Sequence, residues 1–245
     1  MHCEAHHTIS VIIFTLSTRG SILIYMESLF HTLKPHGTVK TVKKGGNVLF
    51  QGEVPRQVMI IRSGVIRAYT ITTTGEERTV SLHGKGDLFP ITWATGKTPN
   101  SLFYYEAVTD TRLLQVSKTV FSQALERDPE AMRLMLDYTT TVYTGLLLRI
   151  TGLEQSRAAE KIAFTLYYLL FAHGIDKGND EFELDLRLSH GMFASLVGLT
   201  RESTAKNLKT LRDKGIIDYS SFTYTVRKSK LEAFMGEDGF RDLSL

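Results

Sequence analysis

The stretch Leu188–Lys230 reads LSHGMFASLVGLTRESTAKNLKTLRDKGIIDYSSFTYTVRKSK. It begins with a short segment of periodically spaced apolar residues, which ends in a turn at Gly198. A second predicted helix starts at Thr200 and ends at Gly215, and two strand-like runs follow. Thr200 is predicted to cap the second helix, and the helix dipole favours Glu202 in its first turn. This order is the pattern of a winged helix-turn-helix. Its predicted inward residues are Phe193, Ala194 and Val197 in the first helix and Thr204, Leu208 and Leu211 in the second.

The outward residues of the second helix have the chemistry of a major-groove reader. Arg201, Glu202, Ser203 and Lys206 lie in its first two turns, where the side chains of a recognition helix reach base edges. Arginine can fork onto guanine O6 and N7, and glutamate can accept from the cytosine amino group. An ordinary solvated helix pair with surface lysines is the alternative interpretation.

Positive charge is concentrated in this part of the chain. Residues 186–230 contain nine Lys and Arg against three Asp and Glu, whereas the whole protein carries a formal charge of only +3. Such a local excess favours binding to phosphates.

Composition limits the class of protein. The 245 residues are 42% hydrophobic and 22% charged, which is typical of a globular chain with one large or two medium domains. Cys3 is the single cysteine, so a disulfide framework or a cysteine-ligated metal site within one chain is excluded. A reducing cytoplasm is therefore the expected location.

An apolar run, Ile9–Tyr25, raises the question of a membrane segment. Arg19 and its polar neighbours split the run into pieces too short to cross a bilayer, so no membrane role is expected. Two explanations remain open: an extra strand or interfacial segment, or an upstream extension from a misplaced start codon, with Met26 beginning the main body. The extension is favoured.

After a short predicted helix at Met26–Lys34, the period changes to short alternating runs separated by glycine-containing turns. Many such strands predict a sandwich or a double-sheet jelly roll. Residues 66–82 give an especially clear hairpin. His83 is the lone histidine of the strands, so neither a metal site nor a catalytic set is expected there. The predicted strands are Val39–Val42, Val48–Phe50, Val58–Ile61, Val65–Thr70, Thr79–Leu82, Phe103–Val108 and Arg112–Val116.

From Ser117 the pattern is helical again. Ser117 is a candidate N-cap, and Asp128-Pro129 starts a long helix whose apolar residues repeat at spacings of four and three. This stripe predicts homodimerisation, with intramolecular packing as the alternative. Met135, Val142 and Leu147 are expected to form a second apolar side against the β domain. The predicted dimer interface is Met132, Leu136, Thr139, Tyr143, Leu146, Ile150 and Leu153.

A further helix at residues 157–174 and a polar stretch, Asp176–Glu181, lead into the winged region. The overall fold class is therefore α+β. The predicted divisions are an apolar N-terminal extension (1–25), a β jelly-roll effector domain (26–127), a dimerisation helix (128–155) and a winged-helix DNA-binding domain (156–245).

This order of elements resembles the Crp/Fnr family of bacterial transcription regulators, from Met26 to Phe234. The motifs that carry the resemblance are GGNVLFQG at 45–52, IIRSGV at 60–65, GDLF at 86–89, and LSH at 188–190 followed by TREST at 200–204. The resemblance implies a homodimer that binds double-stranded DNA, with RNA polymerase as a further candidate partner. The DNA-binding residues it implies are Ser189, His190, Thr200, Arg201, Glu202, Ser203, Lys206 and Lys209.

The chain departs from the family pattern at several positions. Lys206 stands where the family usually has arginine. Its side chain lacks the planar bidentate fork, so a phosphate contact is the alternative to guanine reading at this position. Ile91 and Ser101-Leu102 stand near the glutamate and Arg-Ser positions of cyclic-nucleotide binders. Because a buried phosphate without its guanidinium is costly, cyclic AMP is not expected to bind in the family manner.

No cofactor is expected, since the cysteine cluster of oxygen-sensing relatives is missing and His83 alone is a weak haem ligand. Either aromatic side chains fill the effector pocket, or it takes a small apolar or aromatic effector held by Trp93, Phe103 and Tyr105. The leading interpretation is a sequence-specific DNA-binding regulator. A ligand-binding or scaffold protein whose winged domain binds a protein is the alternative, and a jelly-roll enzyme is not expected.

Overall fold

The computed structural model describes residues 29–184 and 186–236. The predicted extension at 1–25 and the first residues of the helix predicted from Met26 lie outside the described residues. The helices are α1 (29–33), α2 (Ile91–Ala94), α3 (Lys118–Arg127), α4 (Pro129–Glu154), α5 (Ala158–His173), α6 (His190–Val197), α7 (Arg201–Asp213) and α8 (Lys228–Met235), with a 3-10 turn at Lys34–His36 after α1.

The twelve strands of the described chain form three antiparallel sheets, ordered β1-β8-β3-β6, β2-β7-β4-β5 and β11-β12-β10-β9. They are β1 (Thr38–Val42), β2 (Asn47–Leu49), β3 (Gln57–Ser63), β4 (Ile66–Ile71), β5 (Glu77–His83), β6 (Leu88–Phe89), β7 (Tyr104–Ala107), β8 (Thr111–Ser117), β9 (Gly174–Asp176), β10 (Glu181–Leu184), β11 (Ile217–Ser220) and β12 (Thr223–Arg227).

The first two sheets confirm the predicted jelly roll, and each of the seven predicted strands is found within two residues of its expected ends. Strand β3 contains an uninterrupted apolar run, Val58–Ile61, and its side chains lie in two different cores. Met59 and Ile61 lie in the core between the two sheets, whereas Val58 and Ile60 lie in a second core against α1, α3 and α4. Both faces of β3 are therefore covered, which is why the run does not alternate with polar residues.

Helix α4 begins as predicted, because the Asp128 carboxylate accepts a hydrogen bond from the Glu130 amide at 3.0 Å. Gly152 lies against α5, and a Cβ added there would be 2.9 Å from Phe164 Cβ. The side buried within the chain consists of Ala131, Leu134, Met135, Tyr138, Gly145, Leu148, Arg149 and Gly152.

The expected second apolar side of α4 is only partly correct. Met135 is buried as predicted, but Val142 is 37% exposed and Leu147 is 47% exposed. Helix α5 packs against α4 through the glycines at 145 and 152, so the buried side is rotated away from Leu147.

The third sheet belongs to the winged region and contains two strands that were not predicted. Residues between Asp176 and Glu181 were interpreted as a polar connection, yet β9 and β10 flank them, and β10 pairs with β12. Phe182 and Leu184 of β10 are buried in the core that α5, α6 and α7 share with the wing. Val65 and Leu82 of the β domain join the same core, so the two regions pack directly on each other.

Candidate nucleic-acid interface

Two capped helices and a left-handed turn position the helix-turn-helix. The Ser189 hydroxyl accepts from the Met192 amide (3.1 Å) at the start of α6, and the Thr200 hydroxyl accepts from the Ser203 amide (3.1 Å) at the start of α7. Between the helices, Gly198 adopts φ +68°, a conformation that side-chain-bearing residues rarely take. The angle between α6 and α7 is therefore set by local sequence.

The two faces of α7 differ completely in exposure. Thr204, Leu208 and Leu211 are fully buried beneath the helix. On the outside Arg201, Glu202, Lys206 and Lys209 are exposed, and Ser203 is half-buried. No carboxylate of the described residues forms an ion pair with Arg201, Lys206 or Lys209. The outer face of α7 thus presents unpaired positive charge to solvent, next to a single glutamate.

The wing is a tight hairpin of β11 and β12, with Ser221 (φ +49°) and Phe222 (φ +71°) at its tip. The Leu188 amide donates to the Phe222 carbonyl at 3.1 Å, which ties the wing to the segment before α6. The His190 ring lies edge-on to Tyr219 of β11 at 5.3 Å. His190 is consequently half-buried, unlike the predicted readers on α7.

Part of the local positive charge is neutralised by nearby carboxylates. Arg212 pairs with Asp218 at 3.0 Å, Arg227 with Glu181 at 3.2 Å and Lys228 with Glu232 at 3.5 Å. The remaining basic side chains, for which the described residues provide no such partner, are Arg187, Arg201, Lys206, Lys209, Lys214 and Lys230.

Comparisons with known proteins agree with this geometry. Residues 39–128 match the model of the cyclic nucleotide-binding domain, and residues 160–234 match that of the Crp-like helix-turn-helix domain. A global nitrogen regulator from Nostoc is 26% identical over 191 residues, covering 78% of this chain and 85% of the relative. The chain belongs to the Crp/Fnr family of transcription regulators. It is a DNA-binding transcription regulator.

Solved structures share the fold of this Crp/Fnr chain. A mutant of CooA from Carboxydothermus hydrogenoformans superposes with a TM-score of 0.69 at 19% identity, covering 86% of this chain and 95% of that one. A CRP/FNR-family transcriptional regulator from Thermus thermophilus gives 0.61 at 20% identity, covering 82% and 100%.

In this Crp/Fnr chain, α6 is also bonded to the edge strand β5 of the β domain, which the sequence did not reveal. The Thr79 amide donates to Ser195 Oγ at 3.1 Å. Arg149 of α4 donates through Nη2 to the carbonyl oxygens of Thr79 (2.7 Å) and Leu196 (3.0 Å). Burial lowers the pKa of Arg149. On this edge strand the Thr79 amide is therefore satisfied by α6 and the Thr79 carbonyl by α4.

The predicted dimer stripe on α4 is exposed in the single Crp/Fnr chain. Leu136 is 65% exposed, Tyr143 60% and Ile150 56%, and Met132, Thr139 and Leu146 are also exposed, while Leu153 is half-buried. The stripe lies beside the side of α4 that is buried within the chain. A contiguous row of exposed apolar side chains on one helix is typical of a protein interface.

Only two of the three predicted effector residues line the same cavity. Phe103 and Tyr105 line a cavity of about 260 Å³, as does Ile91, but Trp93 does not. Trp93 instead lies in the core beneath α1 and α3. The Ser101 hydroxyl donates to the Phe103 carbonyl at 2.8 Å, and no arginine of the described residues lines the cavity.

Two further searches over residues 29–184 and 186–236 bear on other classes of site. These residues contain no group of three or more His, Cys, Asp or Glu that could hold a metal ion. None of the helices among them is both long and apolar enough to cross a membrane.

Proposed function

We propose that this regulator is a homodimer that reads a pseudo-palindromic operator with two copies of α7. Each copy would enter a major groove, and the half-sites would be about one helical turn, ~34 Å, apart. The observation that carries the proposal is the outer face of α7, where exposed Arg201, Glu202 and Lys206 extend from a helix whose inner face is fully buried.

Roles follow from the chemistry of these side chains. Arg201 is the proposed guanine reader and Glu202 the proposed acceptor for a cytosine amino group. Lys206 and Lys209 are proposed phosphate contacts, since an ammonium lacks the planar fork of a guanidinium. Thr200 and Ser203 hold the start of the helix, and Ser189 does the same for α6.

Dimerisation is supported by the exposed stripe of α4. Burying Leu136, Tyr143 and Ile150 against the same residues of a second copy would form a self-complementary interface, as two-fold symmetry requires. The two copies of α7 would then be related by the same axis as the two half-sites.

Cyclic AMP is not the proposed effector. The cavity that contains Phe103 and Tyr105 has Ile91 where cyclic-nucleotide binders of the family have a glutamate, and Lys85 is its only lysine or arginine among the described residues. Lys85 is exposed, so a phosphate would be buried without a guanidinium partner.

Selection of bound DNA from a random library tests the proposal most directly. The expected result is an enriched sequence with two inverted half-sites, and binding to it should weaken steeply as salt is raised. Enrichment of a single unrepeated half-site would contradict the dimer. If no DNA is retained at moderate salt while the chain captures a protein partner, the winged region binds protein instead.

A further inference from the structure

Arg149 of α4 is a buried cation without an anionic partner among the described residues. It is only 7% exposed, and no Asp or Glu of those residues forms an ion pair with it. Its Nη2 donates to two backbone carbonyls, whereas Nη1 has no hydrogen-bond partner among them. A buried charge without a counter-ion is costly, and an apolar side chain of similar length would avoid that cost. The guanidinium therefore indicates a role other than stability.

The two carbonyls that Arg149 binds belong to different parts of the chain. The Thr79 carbonyl, at 2.7 Å, lies on the edge strand β5, and the Leu196 carbonyl, at 3.0 Å, lies in the last turn of α6. Carbonyls in the last turn of a helix lack partners within the helix and favour a positive charge nearby. Helix α6 has no basic residue in that turn. Arg149 supplies the missing charge from another helix.

Ser195 of α6 adds further hydrogen bonds at the same place. Its Oγ accepts from the Thr79 amide at 3.1 Å and lies 2.9 Å from Thr79 Oγ1. It also donates to the Glu77 carbonyl at 3.3 Å. Together Arg149, Thr79, Ser195 and the Leu196 carbonyl form what we call the Arg149 junction, which joins α4, β5 and α6.

The Arg149 junction is separate from the linker that connects α4 to the winged region. Helix α4 ends at Glu154 and α5 begins at Ala158, where Arg157 provides no side-chain cap. Arg149 precedes Gln155 by six residues, which is about 9 Å along a helix. The packing of α5 on α4 is mainly apolar, and apolar contact is non-directional. The hydrogen bonds of the junction are directional, so they provide a second fixed point and restrict rotation about the linker.

The position of α7 follows from that of α6. The two helices are joined by the turn at Gly198, and Leu208 and Leu211 of α7 lie in the same core as Leu196 of α6. Helix α4 carries the proposed dimer interface, so a contact between α6 and α4 fixes each α7 relative to the two-fold axis. The separation of two reading helices determines the half-site spacing of a dimeric helix-turn-helix protein.

We propose that Arg149 is a positioning residue that fixes α7 relative to the dimer axis and thereby determines the half-site spacing that the regulator accepts. This inference rests on the proposed function, because spacing is defined only for a dimer that reads two half-sites. Arg149 acts through α6 and contacts no base.

The test varies the spacing between two half-sites taken from the library selection. One added or removed base pair moves a half-site by about 3.4 Å and rotates it by about 35°. The unaltered chain is expected to bind these altered operators on the order of tenfold more weakly, as if one base contact were lost. Arg149→Met keeps an unbranched side chain without the charge, and its affinity is expected to fall less than about threefold. A merely structural role would weaken binding equally at every spacing and leave this ratio unchanged.

Three further variants accompany Arg149→Met. Arg149→Lys keeps the charge and is expected to retain more of the spacing preference than Arg149→Met. Ser195→Ala removes the hydroxyl of α6 without altering α4, and it should reduce the preference even if Arg149→Met does not fold. Arg133→Met is the matched control, because Arg133 lies on the same helix, is exposed and pairs with Glu130 at 2.6 Å. This control should keep the preference of the unaltered chain.

A distance measurement tests the Arg149 junction without DNA. Spin labels are attached at Lys97→Cys in the β domain and Asp213→Cys at the end of α7, both of which are exposed positions. The single cysteine is removed by Cys3→Ser, and excess unlabelled chain leaves one labelled copy in each dimer. The labelled chain is expected to give one narrow distance distribution, and the same chain with Arg149→Met a broader one.

Two results would overturn the role of Arg149: an unchanged spacing preference in folded Arg149→Met and Ser195→Ala, or an unchanged distance distribution in Arg149→Met. Either result with an operator in hand leaves the proposed function intact. If the library selection yields no operator, the proposed function fails and the spacing role fails with it. A broader distance distribution in Arg149→Met would still show, in that case, that Arg149 holds α7 in position.

Discussion

Helices α4 and α7 each bury one side within the chain and expose the other, but the exposed sides have opposite chemistry. That of α4 is apolar, with Leu136, Tyr143 and Ile150 more than half exposed. That of α7 is charged, with Arg201 and Lys206 unpaired among the described residues. An exposed apolar face favours contact with another protein surface, whereas an exposed positively charged face favours contact with phosphate. The composition of an exposed face therefore indicates the partner, once the buried side is known.

The largest expected effect comes from making the outer face of α4 resemble that of α7. Leu136→Glu with Ile150→Glu would bury two carboxylates without partners in the proposed interface. An uncompensated buried charge costs about 3–5 kcal/mol, so operator affinity should fall on the order of 100-fold or more. Light scattering should report a monomer, while circular dichroism should stay unchanged, because both side chains are exposed in the single chain.

The control for that experiment is Thr140→Glu with Thr151→Glu, which adds the same charge to α4 outside the stripe. This control should remain dimeric and keep its operator affinity. If the Leu136→Glu, Ile150→Glu variant remains dimeric as well, the stripe is not the interface.

Removing the guanidinium of Arg201 tests the specificity of the outer face of α7. A good bidentate contact contributes about 1–3 kcal/mol of discrimination, so Arg201→Ala should lower the affinity ratio of operator to scrambled DNA by roughly 10- to 100-fold. Titration of both DNAs at one salt concentration measures that ratio. Equal losses on the two DNAs would mean that Arg201 contacts phosphate rather than a base.

Thr200 caps the start of α7, and Thr200→Ala should destabilise the helix and therefore both of its faces. Loss of the hydrogen bond that the Ser203 amide donates to Thr200 Oγ1 should cost about 1 kcal/mol, which lowers Tm by about 2–4 °C. Thr200→Ser keeps the hydroxyl and should restore most of the Tm. A Tm for Thr200→Ala equal to that of the unaltered chain would show that the cap contributes little.

How much the sequence predicts depends on the range of the interaction. The caps at Ser117 and Thr200 and the start of α4 at Asp128-Pro129 were predicted because these signals involve residues only two or three positions apart. Seven of the eight jelly-roll strands were predicted because glycine turns separate runs of sufficient length, whereas β6 was missed because it has only two residues. Strand β10 has only four residues. Its Phe182 and Leu184 alternate with two glutamates, but this pattern is too short to be recognised among the polar residues around it.

Contacts between distant parts of the chain were beyond a single sequence. The two sides of α4 have similar four-and-three spacings, so periodicity could not decide that α5 covers Gly145 and Gly152 rather than Leu147. The bond between Thr79 and Ser195 joins residues 116 positions apart. Trp93 and Phe103 are both aromatic and near in sequence, yet only Phe103 lines the cavity, since the difference arises from tertiary packing.

The smallest expected effect is a difference between two lysines for which the sequence alone gives the same prediction. Lys209 is exposed on the outer face of α7, whereas Lys228 lies 3.5 Å from the Glu232 carboxylate and its side chain is only 20% exposed. Lys209→Ala should weaken operator and scrambled DNA alike and reduce the salt slope of binding by about 1. Lys228→Ala should change that slope less, because its charge is already balanced within the chain. Equal changes in slope for the two variants would show that Lys228 leaves Glu232 to contact phosphate in the complex.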